Sequence, residues 1–141
     1  MPPETLYGRL GGKLGISRVH SDRELAALVE KRLPVAAIKA LIQGGLSDAE
    51  TYELIIPRRT LAHRIARREP LSKEESDRAV RVARIAAMAE QAFGDPARAW
   101  RWMRKTKRSL GERTPLELLA TETGARLVEE MIIRIDDGMA A

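Results

Sequence analysis

The stretch from residue 57 to 69, PRRTLAHRIARRE, sets five arginines and one histidine against a single acid. A guanidinium presents a rigid fork of donors that matches phosphate oxygens and the acceptor edges of bases, so arginines repeated at helical spacing suit nucleic acid. With Leu61 and Ile65 as the inward seam of a helix, about 100° per residue puts Arg59, His63 and Arg67 on the opposite face. Arg58, Arg64 and Arg68 flank that seam. In a helix that enters the major groove, exposed residues near its start reach base edges and flanking cations sit on phosphates. Arg59, Thr60 and His63 are therefore candidates for base readout, and Arg58, Arg64, Arg67 and Arg68 for backbone contact. An ordinary solvated helix face mixes its signs, and this one does not.

A second basic segment, RAWRWMRKTKR from 98 to 108, places two tryptophans among six cations. Aromatic rings among cations can stack single-stranded bases. However, Trp100 and Met103 share a helix face, and only 4% of the chain is aromatic, which favours core packing for its tryptophans. Little other chemistry is on offer. The chain has no cysteine, and His20 and His63 belong to no metal-ligand spacing, so no metal or cofactor is expected. GGKLG near the N-terminus lacks the spacing and the Ser or Thr of a phosphate loop. No nucleophile–base pair stands out, and an enzyme is not expected.

These candidates need elements to position them. Ser21 with Glu24, Ser47 with Glu50 and Ser72 with Glu75 each have the spacing of a capping box and each opens a helix. Pro34, the pair Gly44 and Gly45, Pro57 and Pro70 punctuate the helices between them. Asp95–Pro96 and Thr114–Pro115 read as cap and first turn of two further helices, and Thr121 starts the last. The run from 79 is apolar nearly all round, as in a central helix gripped by neighbours. Leu127, Val128, Met131, Ile132 and Ile135 form an apolar stripe on the last helix.

The expected fold is all-α. An irregular arm covers residues 1–20, a helix-turn-helix region 21–71, and a helical domain packed on a long central helix 72–141. Charge is divided along the chain: fifteen Lys or Arg face six acids between 57 and 108, and three arginines face seven acids from 111 onward. The first part is suited to a polyanion, the second is not. No apolar run reaches the length of a membrane span and MPPETLYGRL has no signal-peptide character, so a cytoplasmic protein without membrane contact is expected.

The blocks IPRRTLAHR, LSKEESDRAVRVARI, AFGDPARAWRWMRK, SLGERTPLELLATETGAR and VEEMIIRIDDG resemble the Xre/MbcA/ParS antitoxin family. The resemblance runs from about Leu46 to the end, about two thirds of the chain; residues 34–68 are similar to the family's Xre-type helix-turn-helix and 92–138 to its toxin-binding domain. The resemblance implies a partner, a RES-domain toxin that depletes NAD, whose active site the C-terminal region obstructs. It further implies a homodimer that represses its own promoter as double-stranded DNA, with no small-molecule substrate.

An electropositive NAD pocket would suit the acids Glu129, Glu130, Asp136 and Asp137. Glu130, Arg134, Asp136, Asp137, Gly138 and Met139 are accordingly the candidate toxin contacts. GERTPLE reads as architecture, a helix stop and start. In helix two of the three-helix motif, Thr51, Tyr52 and Glu53 stand where compact helix-turn-helix units often carry small or aliphatic residues. The alternative function is a dimeric helix-turn-helix repressor without a toxin partner.

Overall fold

Helix starts in this chain are set by side chains that accept from otherwise orphaned first-turn amides, each cap contributing about 1 kcal/mol. The computed structural model describes residues 5–16 and 19–140, with 139 and 140 described by their backbone alone. Ser47 and Glu50 close a reciprocal box at the head of α4 (Asp48–Leu54), with amide-to-oxygen distances of 3.1 and 2.9 Å. Ser72 and Glu75 do the same ahead of α6 (Lys73–Phe93), at 3.0 and 2.8 Å. Ser21 caps α2 (Asp22–Glu30), while the Glu24 carboxylate reaches one residue further, accepting from the amide of His20. Asp95, Thr114 and Thr121 head α7 (Pro96–Met103), α8 (Pro115–Leu118) and α9 (Glu122–Ala140). Prolines open two more: Pro34 leads into α3 (Ala36–Gln43) and Pro57 is the N-cap of α5 (Arg58–Arg67).

The fold is all-α. Among the described residues there is no strand, and the one extended pairing is an isolated bridge between Lys107 and Arg113.

The irregular arm expected over 1–20 is in part a helix, α1 (Leu6–Lys13), started by Thr5 and packed on α3. Its glycines hide it from propensity. Gly11 is buried where the chain doubles back, the amide of Ile16 donating to its carbonyl at 2.8 Å, and a Cβ there would crowd both Ile16 and Val19. Leu10 and Leu14 are buried, so tertiary packing overrides the poor local tendency.

The chain forms two compact units, Met1–Ala83 and Arg84–Ala141. The division falls inside α6 rather than at its start. In the first unit Leu25, Ile38, Leu41, Leu54, Ile56 and Leu71 build the core. In the second, Trp100, Met103, Leu116, Leu119, Val128 and Ile132 do so. Along α6, Ala79, Val82, Ala83, Ile85, Ala86, Ala87 and Ala89 are each 1% exposed or less. Burial of the three successive residues Ile85, Ala86 and Ala87 covers most of the helix, while Arg81, Arg84 and Met88 keep one side half-buried.

Candidate functional site

The helix-turn-helix is α4, the turn 55–57 and α5. Ile55 and Ile56 are buried in the turn, and Arg78 of α6 donates from Nε to the Ile55 carbonyl at 2.8 Å, satisfying a helix-terminal oxygen. Thr51, unusual for its place, is fully buried, and its hydroxyl donates to the Ser47 carbonyl at 2.9 Å. It therefore packs as a small aliphatic residue would. Tyr52 is half-buried and Glu53 exposed, so both lie at the edge of that packing.

α5 contributes no buried residue, and its orientation differs from the expected one. Leu61 is half-buried, but Ile65 is 56% exposed. The inward side is formed by Leu61 together with Thr60 and Arg64, which are half-buried. Arg64 is an anchor: Nε and Nη2 donate to the two carboxylate oxygens of Glu75 at 2.9 and 3.1 Å, and Nη1 to Glu69 at 3.3 Å. Bidentate pairing of this kind fixes the helix as well as neutralising the charge. Burial alone would push the Glu75 carboxyl up, but the hydrogen bonds from Arg64 and from the Ser72 amide hold it below the usual carboxylate value. The same bond to Glu75 raises Arg64, against partial desolvation.

Arg64 thus leaves the set of phosphate candidates, and Thr60 turns partly inward from the set for base readout. Arg58, Arg59, His63, Arg67 and Arg68 are exposed and make no side-chain hydrogen bond or ion pair with the described residues. At about 100° per residue they lie in two rows. One runs Arg59, His63, Arg67, and the other begins at Arg58 and continues through Ala62 to Ile65. The first turn of α5 holds no acid and no side-chain cap, so its free amides and the positive end of the helix dipole add to the cationic field.

The start of α6 positions all of this. Glu75 holds Arg64, Arg78 holds the turn, and the buried Ser76 hydroxyl accepts from the amide of Leu33 at 2.9 Å. Arg32 completes the stitching, donating to the carbonyls of Leu71 and Pro70 at 2.8 and 3.2 Å. The sequence signal for these partners was the polar cluster EESDR, which reads on its own as solvated helix surface.

In the second unit the tryptophans pack. Trp100 is 6% exposed and donates from its indole nitrogen to the buried Glu90 carboxylate at 3.2 Å. Arg104 lies over its ring at 4.8 Å, and Lys107 over that of Trp102 at 5.2 Å. Cations cover ring faces on which a base would stack. Burial, with Lys105 nearby, lowers the Lys107 pKa.

On α9, Val128 and Ile132 face the core while Leu127 and Ile133 are 48% and 46% exposed. The expected stripe is therefore split between two sides. Glu130, Arg134, Asp136, Asp137 and Gly138 are exposed on a helix that continues to Ala140, not on an extended tail. The side chain of Met139 lies outside the described residues. Among the described residues no cluster has the makings of a metal site, and no helix is long and apolar enough to cross a membrane.

Two family profiles match in tandem. The Antitoxin Xre-like helix-turn-helix domain matches residues 24–84, and the Antitoxin Xre/MbcA/ParS C-terminal toxin-binding domain matches residues 88–138. The helix-turn-helix match thus begins ten residues before the range 34–68 that carries the resemblance in the sequence. A protein named Antitoxin Xre from Pseudomonas putida is 38% identical over 130 residues, 92% of this chain and 82% of its own. Proteins of the same name from Photorhabdus laumondii and Yersinia enterocolitica are 34% identical over 124 residues and 39% identical over 85. The first covers 86% of this chain and 84% of its own, the second 60% and 57%. A helix-turn-helix with an open cationic helix, joined to a helical toxin-binding domain in this order, makes the chain a member of the Xre antitoxin family.

Proposed function

We propose that this antitoxin neutralises a RES-domain toxin, one that depletes NAD, by binding it through α9 and obstructing its active site. We also propose that it represses its own operon as a homodimer, inserting α5 into the major groove of its promoter. The observation that carries the DNA reading is the set of exposed cations on α5, Arg58, Arg59, Arg67 and Arg68, none of them held by a described residue. Phosphates would supply the missing counter-charge. Arg59 and His63 then meet base edges, with Thr60 at the groove margin, while Arg58, Arg67 and Arg68 take the backbone.

For the toxin, the support is an exposed helix face on which Leu127 and Ile133 stand among Glu130, Arg134 and Asp137. Apolar anchors rimmed by charge are how protein interfaces are built, and the acids suit a pocket made positive to hold an anionic dinucleotide. Asp136 and Gly138 continue that face. The deciding experiment induces the neighbouring gene in cells with and without this chain and measures NAD. NAD should collapse when the neighbour is expressed alone and be preserved when the two are expressed together. If NAD does not fall, the toxin assignment fails, leaving a dimeric helix-turn-helix repressor.

A further inference from the structure

Ile65 is out of place. A large aliphatic side chain, 56% exposed, stands on a helix that also exposes Arg58, Arg59, Arg67 and Arg68, although the sequence pattern would put it in the core. The reason is local: the inward side that it would share with Leu61 is taken by Arg64, which is clamped to Glu75 and Glu69. With Arg64 inward, Ile65 turns out one turn beyond the exposed Ala62, on the row that starts at Arg58. Burying a side chain of this size is worth more than leaving it in water, so the position favours a partner that offers apolar surface.

The charge around it selects the partner. A second copy of the chain meeting this face would bring four arginines against four, which is repulsive. A partner must be anionic as a whole yet carry small apolar groups within reach of a helix. The major groove of DNA has both: phosphates on its walls, and the thymine C5-methyl on its floor as the one apolar group among the base edges.

We infer that Ile65 packs on the C5-methyl group of thymine, and that this chain selects sites with thymine beside the bases read by Arg59. This rests on the DNA-binding reading and adds to it a specificity determinant that carries no charge. Arg58 and Arg59 supply attraction and polar readout, whereas Ile65 tells thymine from cytosine by shape.

The test uses the full chain and a duplex enriched by it from a randomised pool, resynthesised with deoxyuridine in place of each thymidine. Uracil pairs as thymine does but lacks the methyl group. Binding of the uracil duplex should weaken about fourfold for each methyl contacted, the effect of one buried carbon. Ile65→Ala, at an exposed position, should keep its fold and bind thymine and uracil duplexes with nearly equal affinity. Equal binding of both duplexes by the unaltered chain overturns the inference and leaves DNA binding intact, as does an Ile65→Ala variant that still discriminates them. A change of oligomeric state in Ile65→Ala also overturns it, assigning the side chain to a protein interface. If no sequence is enriched, sequence-specific DNA binding itself fails and the inference falls with it.

Discussion

The Arg64–Glu75 pair is where the helix-turn-helix is most exposed to a single change. Glu75 is buried, accepts from the Ser72 amide and takes both arms of the Arg64 guanidinium. Replacing it by Gln keeps the volume but loses a charge-assisted pair, which costs about 1.5–3 kcal/mol, readable in urea denaturation of Glu75→Gln against the unaltered chain. The pH dependence follows from the lowered pKa. A carboxylate whose folded value lies below its unfolded one stabilises fully above the unfolded value, and this stability disappears as pH falls through the folded one. Acid titration should therefore show a loss of stability below about pH 4.3, the ordinary glutamate value, that Glu75→Gln lacks. Equal acid sensitivity in both proteins would mean that another group carries it. This pair also shows why the sequence map of α5 needed correction. Periodicity treats arginine as an outward residue, and only a partner on another helix can bring it inside.

At the scale of elements, helix ends decide how segments meet. α5 stops at Arg68, which has φ 56° and ψ 39°, the left-handed conformation that glycine adopts without cost. Arg68→Gly should therefore stabilise the fold by about 1 kcal/mol. If Arg68 also contacts phosphate, the same variant should bind DNA more weakly, so stability and affinity would move in opposite directions. Thermal melting and a binding titration on one sample read both. In the second unit the start of α9 presses on the end of α8. Gly124 is buried there, and a Cβ on it would overlap the Leu118 carbonyl oxygen, which is backbone and cannot rotate away. Gly124→Ala should destabilise by about 1–3 kcal/mol by overpacking, measurable by denaturation. The cap at Thr121 was legible in the sequence. The requirement for glycine three residues on was not, because it depends on how closely two helices approach.

For the whole molecule, the division of charge along the chain predicts that the two proposed activities separate. With Arg64 committed to Glu75, the exposed phosphate candidates are Arg58, Arg67 and Arg68, or six in a dimer. The affinity for promoter DNA should then fall with a log–log salt slope of about −5. Arg59→Ala should weaken specific binding by roughly 1–3 kcal/mol while protection from the toxin is kept. Deleting residues 134–141, which removes the exposed end of α9, should have the opposite pattern, with protection lost and DNA binding kept. Binding titrations and NAD measurements on both variants check the pairing. Protection that survives the deletion would place the toxin contact elsewhere, with the exposed Leu127 and Ile133 the next residues to replace.

From α2 onward the helices could be read along the chain, since their starts and stops are written in neighbouring residues: Ser47 with Glu50, Ser72 with Glu75, Asp95 before Pro96, and the prolines at 34, 57 and 70. The sequence by itself also determined the central role of α6, and the blocks that resemble the Xre antitoxins. Tertiary structure alone decided which side of α5 faces out, because Arg64 is drawn inward by a carboxylate eleven residues away. It likewise decided that the glycine-rich start folds into α1, and that the apolar stripe of α9 divides between the core and solvent. Caps act within four residues and can be read along the chain. Ion pairs, close backbone approaches and the choice of buried face depend on what lies across a contact, which no local pattern specifies.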